Sequence, residues 1–268
     1  MKAEIDSPIL TRLSQGQLNI LENCPRKFQH IYFEQLGTPV SPQQQEHLTW
    51  GSRFHLVMQQ RELGLPIESL VKEDSQLQQW VTALVNAAPD IFTKNWETFR
   101  EAEHCRTLNV AGYLLTVVYD LLIEDETNAQ ILDWKTYPQP KKSQWLAQDW
   151  QTRLYLYVLA ETTDYLPEQI SMTYWFVKSQ PSPQKLTFTY DSVKHEKTRQ
   201  DLSELLSRLT MWLERYNYDS IPFPQIPVST NRCLDCSFAV RCQRLVESGM
   251  KGNRNVLINL ADIEEVSI

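Results

Sequence analysis

The sequence predicts an α/β fold in which helices cover a β-sheet. Apolar residues recur at helical spacing through the first third of the chain, and short runs rich in β-branched and aromatic residues follow, separated by turn-like breaks. Helical and strand patterns then alternate, which favours one sheet packed against helices. With 268 residues the chain is long enough to bury a sizeable core, and we expect one domain spanning residues 1–268.

The N-terminal part, about residues 10–90, is predicted to be helical. From residue 15 to about 36 the apolar spacing indicates one or two helices, because Pro25 is expected to distort a continuous helix. The same spacing predicts a second helical stretch over about 46–63 and a third over about 68–88. We expect these helices to form a covering element for the rest of the domain.

The middle of the chain, about residues 91–220, is predicted to hold the sheet and the catalytic residues. Three short strands are expected first, at residues 98–108, 113–124 and 129–134. An amphipathic helix, two strands and a long helix are expected next, at residues 144–162, 170–177, 185–190 and 191–218. The core order is therefore helix, three strands, helix and strand, with one further strand and one further helix.

The C-terminal part differs from both in composition. A Pro-rich connection at residues 221–227 opens a cysteine-containing segment, about 221–250, and a polar tail follows at 251–268. The chain shows no internal repeat and no low-complexity segment. The function of this part therefore depends on its cysteines.

Three cysteines near the C-terminus have the spacing of metal ligands. Cys233, Cys236 and Cys242 form a run of three soft ligands without a fourth nearby, and Cys24 can supply it. Four thiolates suit either an iron–sulfur cluster or a structural zinc ion, and spacing does not separate the two. The fifth cysteine, Cys105, lies in the middle of a predicted strand, where we expect a buried thiol.

The run from Ile131 to Thr136 predicts the metal site of a nuclease. Asp133 and Lys135 leave the same face of one strand because side chains alternate along a strand. In a meander, Asp120 on the preceding strand can converge with Asp133 on one ion. A divalent ion held by carboxylates activates water for phosphodiester hydrolysis, and a nearby lysine can assist the water or the phosphate. Alone, an Asp-x-Lys pattern is more often a surface salt bridge.

Composition and charge restrict the function classes and the location. A net charge of −7 and a pI of about 5.3 count against a general nucleic-acid coat, although a local basic groove still permits a DNA enzyme. The odd number of cysteines fits a reducing compartment, and the charged N-terminus lacks the apolar core of a signal peptide. Since no apolar run approaches the length of a membrane helix, we expect a cytoplasmic protein without a membrane partner.

Taken in order, these motifs resemble the RecB-type nucleases of the PD-(D/E)XK superfamily. They are most similar to the branch that carries a 4Fe-4S cluster, which includes AddB nuclease domains and CRISPR-adaptation exonucleases. The resemblance extends from the Cys24-Pro25-Arg26-Lys27-Phe28 segment to the C-terminal cysteines. It implies a PD-(D/E)XK core with a central mixed sheet flanked by helices. It further implies a structural 4Fe-4S cluster that links the N-terminal helical segment to the C-terminal cysteine segment. The four ligands of that cluster would be Cys24, Cys233, Cys236 and Cys242.

The resemblance also assigns a divalent-metal centre. His55 matches the family's metal-binding histidine, and Asp120 and Asp133 match its acidic metal ligands. The backbone carbonyl of Trp134 is implied as a further ligand, and Lys135 matches the catalytic lysine. Mg²⁺ or Mn²⁺ is the expected ion, and the histidine favours Mn²⁺ somewhat.

Three further sets of residues follow from the same resemblance. Gln151 and Tyr155 match a Gln-x-x-x-Tyr motif, share a helix face, and are expected among the catalytic residues, either contacting DNA or supporting the catalytic side chains. The family's upstream glutamate matches either Glu101 or Glu103. Candidate phosphate contacts are Arg26, Lys27, Arg53, Lys141, Lys142 and Arg153.

The chain departs from the family pattern just before the first aspartate. Relatives usually have glycine three residues before it and a small aliphatic residue directly before it, whereas this chain has Val117 and Tyr119. These larger side chains would either crowd the substrate groove or repack the protein beneath it.

The expected function is a metal-dependent DNA nuclease, in particular an exonuclease acting on single-stranded DNA ends. The resemblance implies a role in DNA repair or recombination, or in CRISPR adaptation, with a helicase or CRISPR-integration protein as a partner. One alternative is a catalytically weak DNA-binding or scaffolding subunit of a helicase or integration complex. Another is a zinc-stapled fold of unrelated function. The sequence contains no P-loop motif, so any unwinding requires a partner.

Overall fold

A computed structural model of the chain describes residues 12–37, 42–72, 74–93, 98–139 and 144–244. Two of the candidate phosphate contacts, Lys141 and Lys142, lie outside these residues, as does the predicted polar tail.

The N-terminal part is helical, as predicted. Its helices are α1 (Gln15–Asn23), α2 (Pro25–Tyr32), α3 (Pro42–Glu62), α4 (Glu68–Val71), α5 (Ser75–Ala87) and α6 (Pro89–Phe92). The first predicted stretch is divided because Cys24 has an extended backbone and Pro25 begins α2, a position where proline needs no hydrogen-bond partner. The third is divided because the side chain of Asp74 accepts a hydrogen bond from the backbone N–H of Leu77 and caps α5.

Six strands form one mixed sheet. They are β1 (Arg12–Leu13), β2 (Phe99–Val110), β3 (Tyr113–Glu124), β4 (Ala129–Lys135), β5 (Ile170–Phe176) and β6 (Gln184–Thr189). β2 pairs antiparallel with one edge of β3. The other edge of β3 is shared by β1, which is parallel to it, and β4, which is antiparallel to it. β5 then pairs parallel with β4, and β6 antiparallel with β5.

Two more helices complete the fold, α7 (Trp150–Glu161) and α8 (Ser192–Asp219). α7 begins later than predicted because residues 144–147 form a 3-10 turn and the Asp149 side chain caps the helix by accepting from the backbone N–H of Gln151. The predicted α/β fold, with a central mixed sheet flanked by helices, is therefore confirmed. Strand β1 was not predicted, since two residues are too short for a periodic pattern.

The two faces of the sheet bury separate cores. The α7-side core joins α1, α2, α7 and α8 to one face of the sheet, with Tyr119 and Ile131 among its strand residues. The α3-side core joins α3 and α5 to the other face, with Leu121, Leu132 and Trp134 among its strand residues. The predicted acidic residues Asp120 and Asp133 lie between these two layers, on the interior strands β3 and β4.

Candidate active site and cysteine site

Three carboxylates lie in one row across β2, β3 and β4. The β2–β3 register places Glu103 opposite Asp120. The β3–β4 ladder ends at the pair Leu121 and Leu132, one step before Asp120 would face Asp133. The meander expected from the sequence therefore brings the two predicted aspartates to neighbouring positions and adds a glutamate from β2.

The backbone is irregular at this row. The β2–β3 ladder skips the pair Glu103 and Asp120, and Glu103 has a φ of +54°. A left-handed conformation costs a residue with a side chain about 1–2 kcal/mol, so the surrounding sheet must maintain it. Residues two apart in a regular strand face the same side of the sheet. Tyr119 lies in the α7-side core, but Leu121 lies in the α3-side core. The regular alternation of side chains along β3 is therefore interrupted at Asp120.

Helix α3 places His55 beside this row. Its Nδ1 lies 3.2 Å from Asp120 Oδ1, and its Nε2 lies 3.0 Å from the carbonyl oxygen of Trp134. Since both partners are acceptors, the protonated ring can donate from both nitrogens. Burial of the ring lowers its pKa, but the hydrogen bond to Asp120 and that carboxylate's charge outweigh burial and raise the pKa of His55 to about 9.

The donor set fits a divalent cation. His55, Glu103 and Asp120 offer ligand atoms that lie within 4.8 Å of one another, and the Trp134 carbonyl adjoins them. The second oxygen of Asp120 accepts from the backbone N–H of Trp134 at 2.6 Å, which fixes the carboxylate. Carboxylate and carbonyl oxygens with one imidazole suit Mg²⁺ or Mn²⁺.

Of the two glutamates that the sequence left open, Glu103 joins the ligand group. Burial, followed by the charge of Asp120, raises the pKa of Glu103. Glu101 instead pairs with His104, at 2.6 Å from its Nδ1. This assignment depends on the strand register, which the motif alone did not supply.

Asp133 is buried in a second group that adjoins the ligand set. It is 3% exposed, its Oδ2 accepts from Gln151 Nε2 at 2.6 Å, and its Oδ1 lies 2.7 Å from Lys135 Nζ. Lys135 also donates to Gln151 Oε1 at 2.6 Å. Burial and the charge of Asp120 raise the pKa of Asp133 to about 6, although Lys135 opposes them. Burial lowers the pKa of Lys135, but Asp133 reverses this and leaves it raised.

The Gln-x-x-x-Tyr motif supports this group from α7. Gln151 contacts Asp133 and Lys135 directly, whereas Tyr155 is buried. Tyr119, whose hydroxyl donates to the backbone carbonyl of Tyr155, is also fully buried, as is Val117. These two departures from the family pattern therefore repack the α7-side core and leave the groove open.

The described candidate phosphate contacts are engaged elsewhere. Arg26 donates to the carbonyl of Phe223, Arg53 pairs with Asp74, and Lys27 lines the cysteine site. Arg153 pairs with Asp201 at 2.6 Å and lies over the ring of Trp150. The structure does not bring these cations together at the metal centre.

The four cysteines predicted as ligands line one pocket. Cys24 separates α1 from α2, and the other three lie in turns after α8. A pocket lined by four thiols fits either a zinc ion or an iron–sulfur cluster.

The prediction for the fifth cysteine was wrong. Cys105 is exposed, not buried. It lies on β2, which among the described strands pairs with β3 alone, and its side chain belongs to neither core. Position in mid-strand does not imply burial when the strand is at the edge of a sheet.

Among the described helices, none has both the length and the apolar character needed to cross a membrane.

Comparison with known proteins agrees with the geometry. A sequence model described as the PD-(D/E)XK nuclease superfamily matches residues 12–243. The chain belongs to the PD-(D/E)XK nuclease superfamily. This supports nuclease function and a divalent metal, while the iron–sulfur branch remains a prediction.

A solved structure agrees at the level of the fold. A candidate exonuclease from Eubacterium rectale superimposes with a TM-score of 0.55 at 10% identity, covering 89% of this chain and 94% of that one. The protein SSO0001 aligns with a TM-score of 0.34 at 18% identity, covering 71% of this chain and 84% of its own. No curated protein matches the chain by sequence.

Proposed function

We propose that this PD-(D/E)XK protein is a Mg²⁺- or Mn²⁺-dependent DNA exonuclease that acts on single-stranded ends. The observation that carries the proposal is the row of Glu103, Asp120 and Asp133 across three strands, with His55 beside it and Lys135 on the same strand as Asp133. The candidate exonuclease with a similar fold supports the same class of activity.

The metal would be held by His55, Glu103, Asp120 and the carbonyl of Trp134, with Asp133 as a further ligand. When bound, the ion would supply Lewis-acid charge beside the scissile phosphate and lower the pKa of water. His55 must give up the proton that it donates to Trp134 or Asp120 before it can ligate, so binding and deprotonation are coupled.

Lys135 has a distinct role in the proposal. Its ammonium is held between Asp133 and Gln151, next to the ligand group, and the charge of Asp133 keeps it protonated. A fixed cation there would stabilise the negative charge that develops on the phosphate. Gln151 orients both side chains because its amide donates to Asp133 and accepts from Lys135.

Cleavage of end-labelled single-stranded DNA tests this proposal. The parent protein, purified anaerobically, is compared with Lys135→Ala in the presence of Mn²⁺, Mg²⁺ or EDTA. We expect metal-dependent digestion that falls at least about 100-fold in the variant, with the label position giving the polarity. A folded parent that binds DNA without cleaving it would instead favour the alternative, a DNA-binding or scaffolding subunit. A helicase or CRISPR-integration partner stays a prediction.

We further propose that the four cysteines hold a structural 4Fe-4S cluster. The supporting observation is that all four line one pocket, and the resemblance of the motifs to the iron–sulfur branch favours a cluster over a zinc ion. Iron, sulfide and zinc analysis of anaerobically purified protein, with a visible spectrum, tests this. A colourless protein with one zinc per chain would overturn it.

A further inference from the structure

One side of the candidate active site is a groove along α3. Seven of its lining residues share one face of that helix, and the opposite wall is formed by Glu103 and Thr136. The helix residues are His47, Leu48, Gly51, Ser52, His55, Leu56 and Gln59. The groove is therefore continuous with the proposed metal ligands His55 and Glu103.

This wall exposes two large apolar side chains beside the metal ligands. Leu48 is 59% exposed and Leu56 is 44% exposed, and with Ser52 between them they form one stripe at every fourth position. The two leucines are about 12 Å apart along the helix axis. A single exposed leucine is common on a protein surface. Two exposed leucines in one groove that contains His55 indicate a binding surface for an apolar group.

The charge of the groove limits what that occupant can be. No lysine or arginine is among its described lining residues, and Glu103 adds an acidic group. A duplex presents its phosphates and keeps its bases stacked inside. On this wall it would meet no described lysine or arginine, and the charge of His55 is already paired with Asp120. A single strand has unstacked bases whose faces can pack on apolar side chains.

We propose that Leu48 and Leu56 form a base-contacting wall that holds unpaired nucleotides next to the scissile phosphate. The inference rests on the proposed nuclease function and adds to it the residues that favour single strands over duplexes. Because the contact is apolar, it should tolerate any base sequence, as does binding that depends on base faces.

The test measures DNA binding separately from cleavage. Binding of a fluorescent single-stranded oligonucleotide is followed by anisotropy in EDTA over a range of salt concentrations, for the parent and for Leu48→Ala combined with Leu56→Ala. Both leucines are exposed and alanine favours helix, so the variant should fold. The matched control combines Leu63→Ala and Leu65→Ala, which remove leucines that are 61% and 47% exposed and do not line this groove.

We expect the groove variant to bind single strands about tenfold more weakly, with an unchanged slope of log affinity against log salt, since no phosphate contact is lost. The control should bind like the parent. An oligonucleotide with abasic sites should bind the parent more weakly than the intact oligonucleotide does. It should bind the parent and the groove variant with equal affinity. Equal binding of the intact oligonucleotide by parent and groove variant, with cleavage intact, would overturn the inference alone. A parent that neither binds nor cleaves DNA would overturn the proposed function itself.

Discussion

The metal centre and the cysteine site are built in different ways. The proposed ligands of the metal centre lie on neighbouring strands and on α3, at positions fixed by backbone ladders and two packed cores. The cysteine site joins the junction of α1 and α2 to a segment whose described regular structure is a 3-10 turn at Val228–Thr230.

Side chains connect that segment to the N-terminal helices. Arg26 donates to the carbonyl of Phe223, Arg232 donates to Asn23 at 2.7 Å, and Arg241 pairs with Glu34. Such contacts are individually weak when exposed. The comparison teaches that the sheet and the helices packed on it position the proposed catalytic side chains, whereas the cysteine site would depend on the group that its thiolates are proposed to hold.

The first prediction concerns the most connected carboxylate, Asp120. In Asp120→Asn we expect nuclease activity to fall by at least about 10³-fold, because the charge that faces His55 and the proposed metal is lost. The amide oxygen can still accept from the N–H of Trp134, so stability should change little. Initial cleavage rates and thermal unfolding measure the two effects. A large loss of stability would mean that the packed sheet and helices do not hold the centre in place without the Asp120 carboxylate.

The second prediction concerns the cysteine site. Cys24→Ser should release the bound group and destabilise residues 221–244 by about 4 kcal/mol, the scale of a cross-link across a long loop. Hydrogen exchange should accelerate there while β3 stays protected. Cys105→Ser is the matched control, because Cys105 is exposed and lies outside the pocket. Fully folded, cluster-loaded Cys24→Ser would contradict the structural role.

The third prediction separates the two glutamates of β2. Glu103→Gln should lower the cleavage rate about 100-fold by removing a carboxylate from the ligand group. The cleavage rate of Glu101→Gln should stay within about twofold of the parent rate, since Glu101 is half exposed and its described ion pair is with His104, outside the ligand group. Cleavage rates over a Mn²⁺ titration compare them. An equal loss of cleavage rate in both variants would show that the β2–β3 register does not determine which glutamate binds the metal.

Much of this centre could be predicted from sequence because local patterns encode it. The strands 98–108, 113–124 and 129–134 were placed within two residues of β2, β3 and β4, and their order as a meander brought Asp120 and Asp133 together. Alternation along β4 likewise placed Asp133 and Lys135 on one face, where they form an ion pair. Such features depend on neighbouring residues and on adjacent strands.

Glu103, one of two glutamates that the motif left open, shows which sequence signal could have decided between them. Ala111 and Gly112 both have positive φ, as in the tight turns that connect hairpins, and they fix Val110 opposite Tyr113. Counting seven residues back from Val110 and seven on from Tyr113 pairs Glu103 with Asp120. The approach of His55 could not be derived in this way, because it depends on how α3 packs across the sheet.

The last prediction concerns that packing and has the smallest expected effect. A Cβ at Gly51 would lie 3.3 Å from Thr136 Oγ1, where α3 passes the end of β4. Gly51→Ala should raise helix propensity by about 1 kcal/mol, and yet lower activity a few-fold by moving His55, one turn along the same helix face. Combining it with Thr136→Ala removes the close oxygen and should restore activity while keeping the gain in stability. Thermal unfolding and cleavage rates of the two single variants and the double variant measure this. If Thr136→Ala leaves the activity of Gly51→Ala unchanged, the close approach does not position His55.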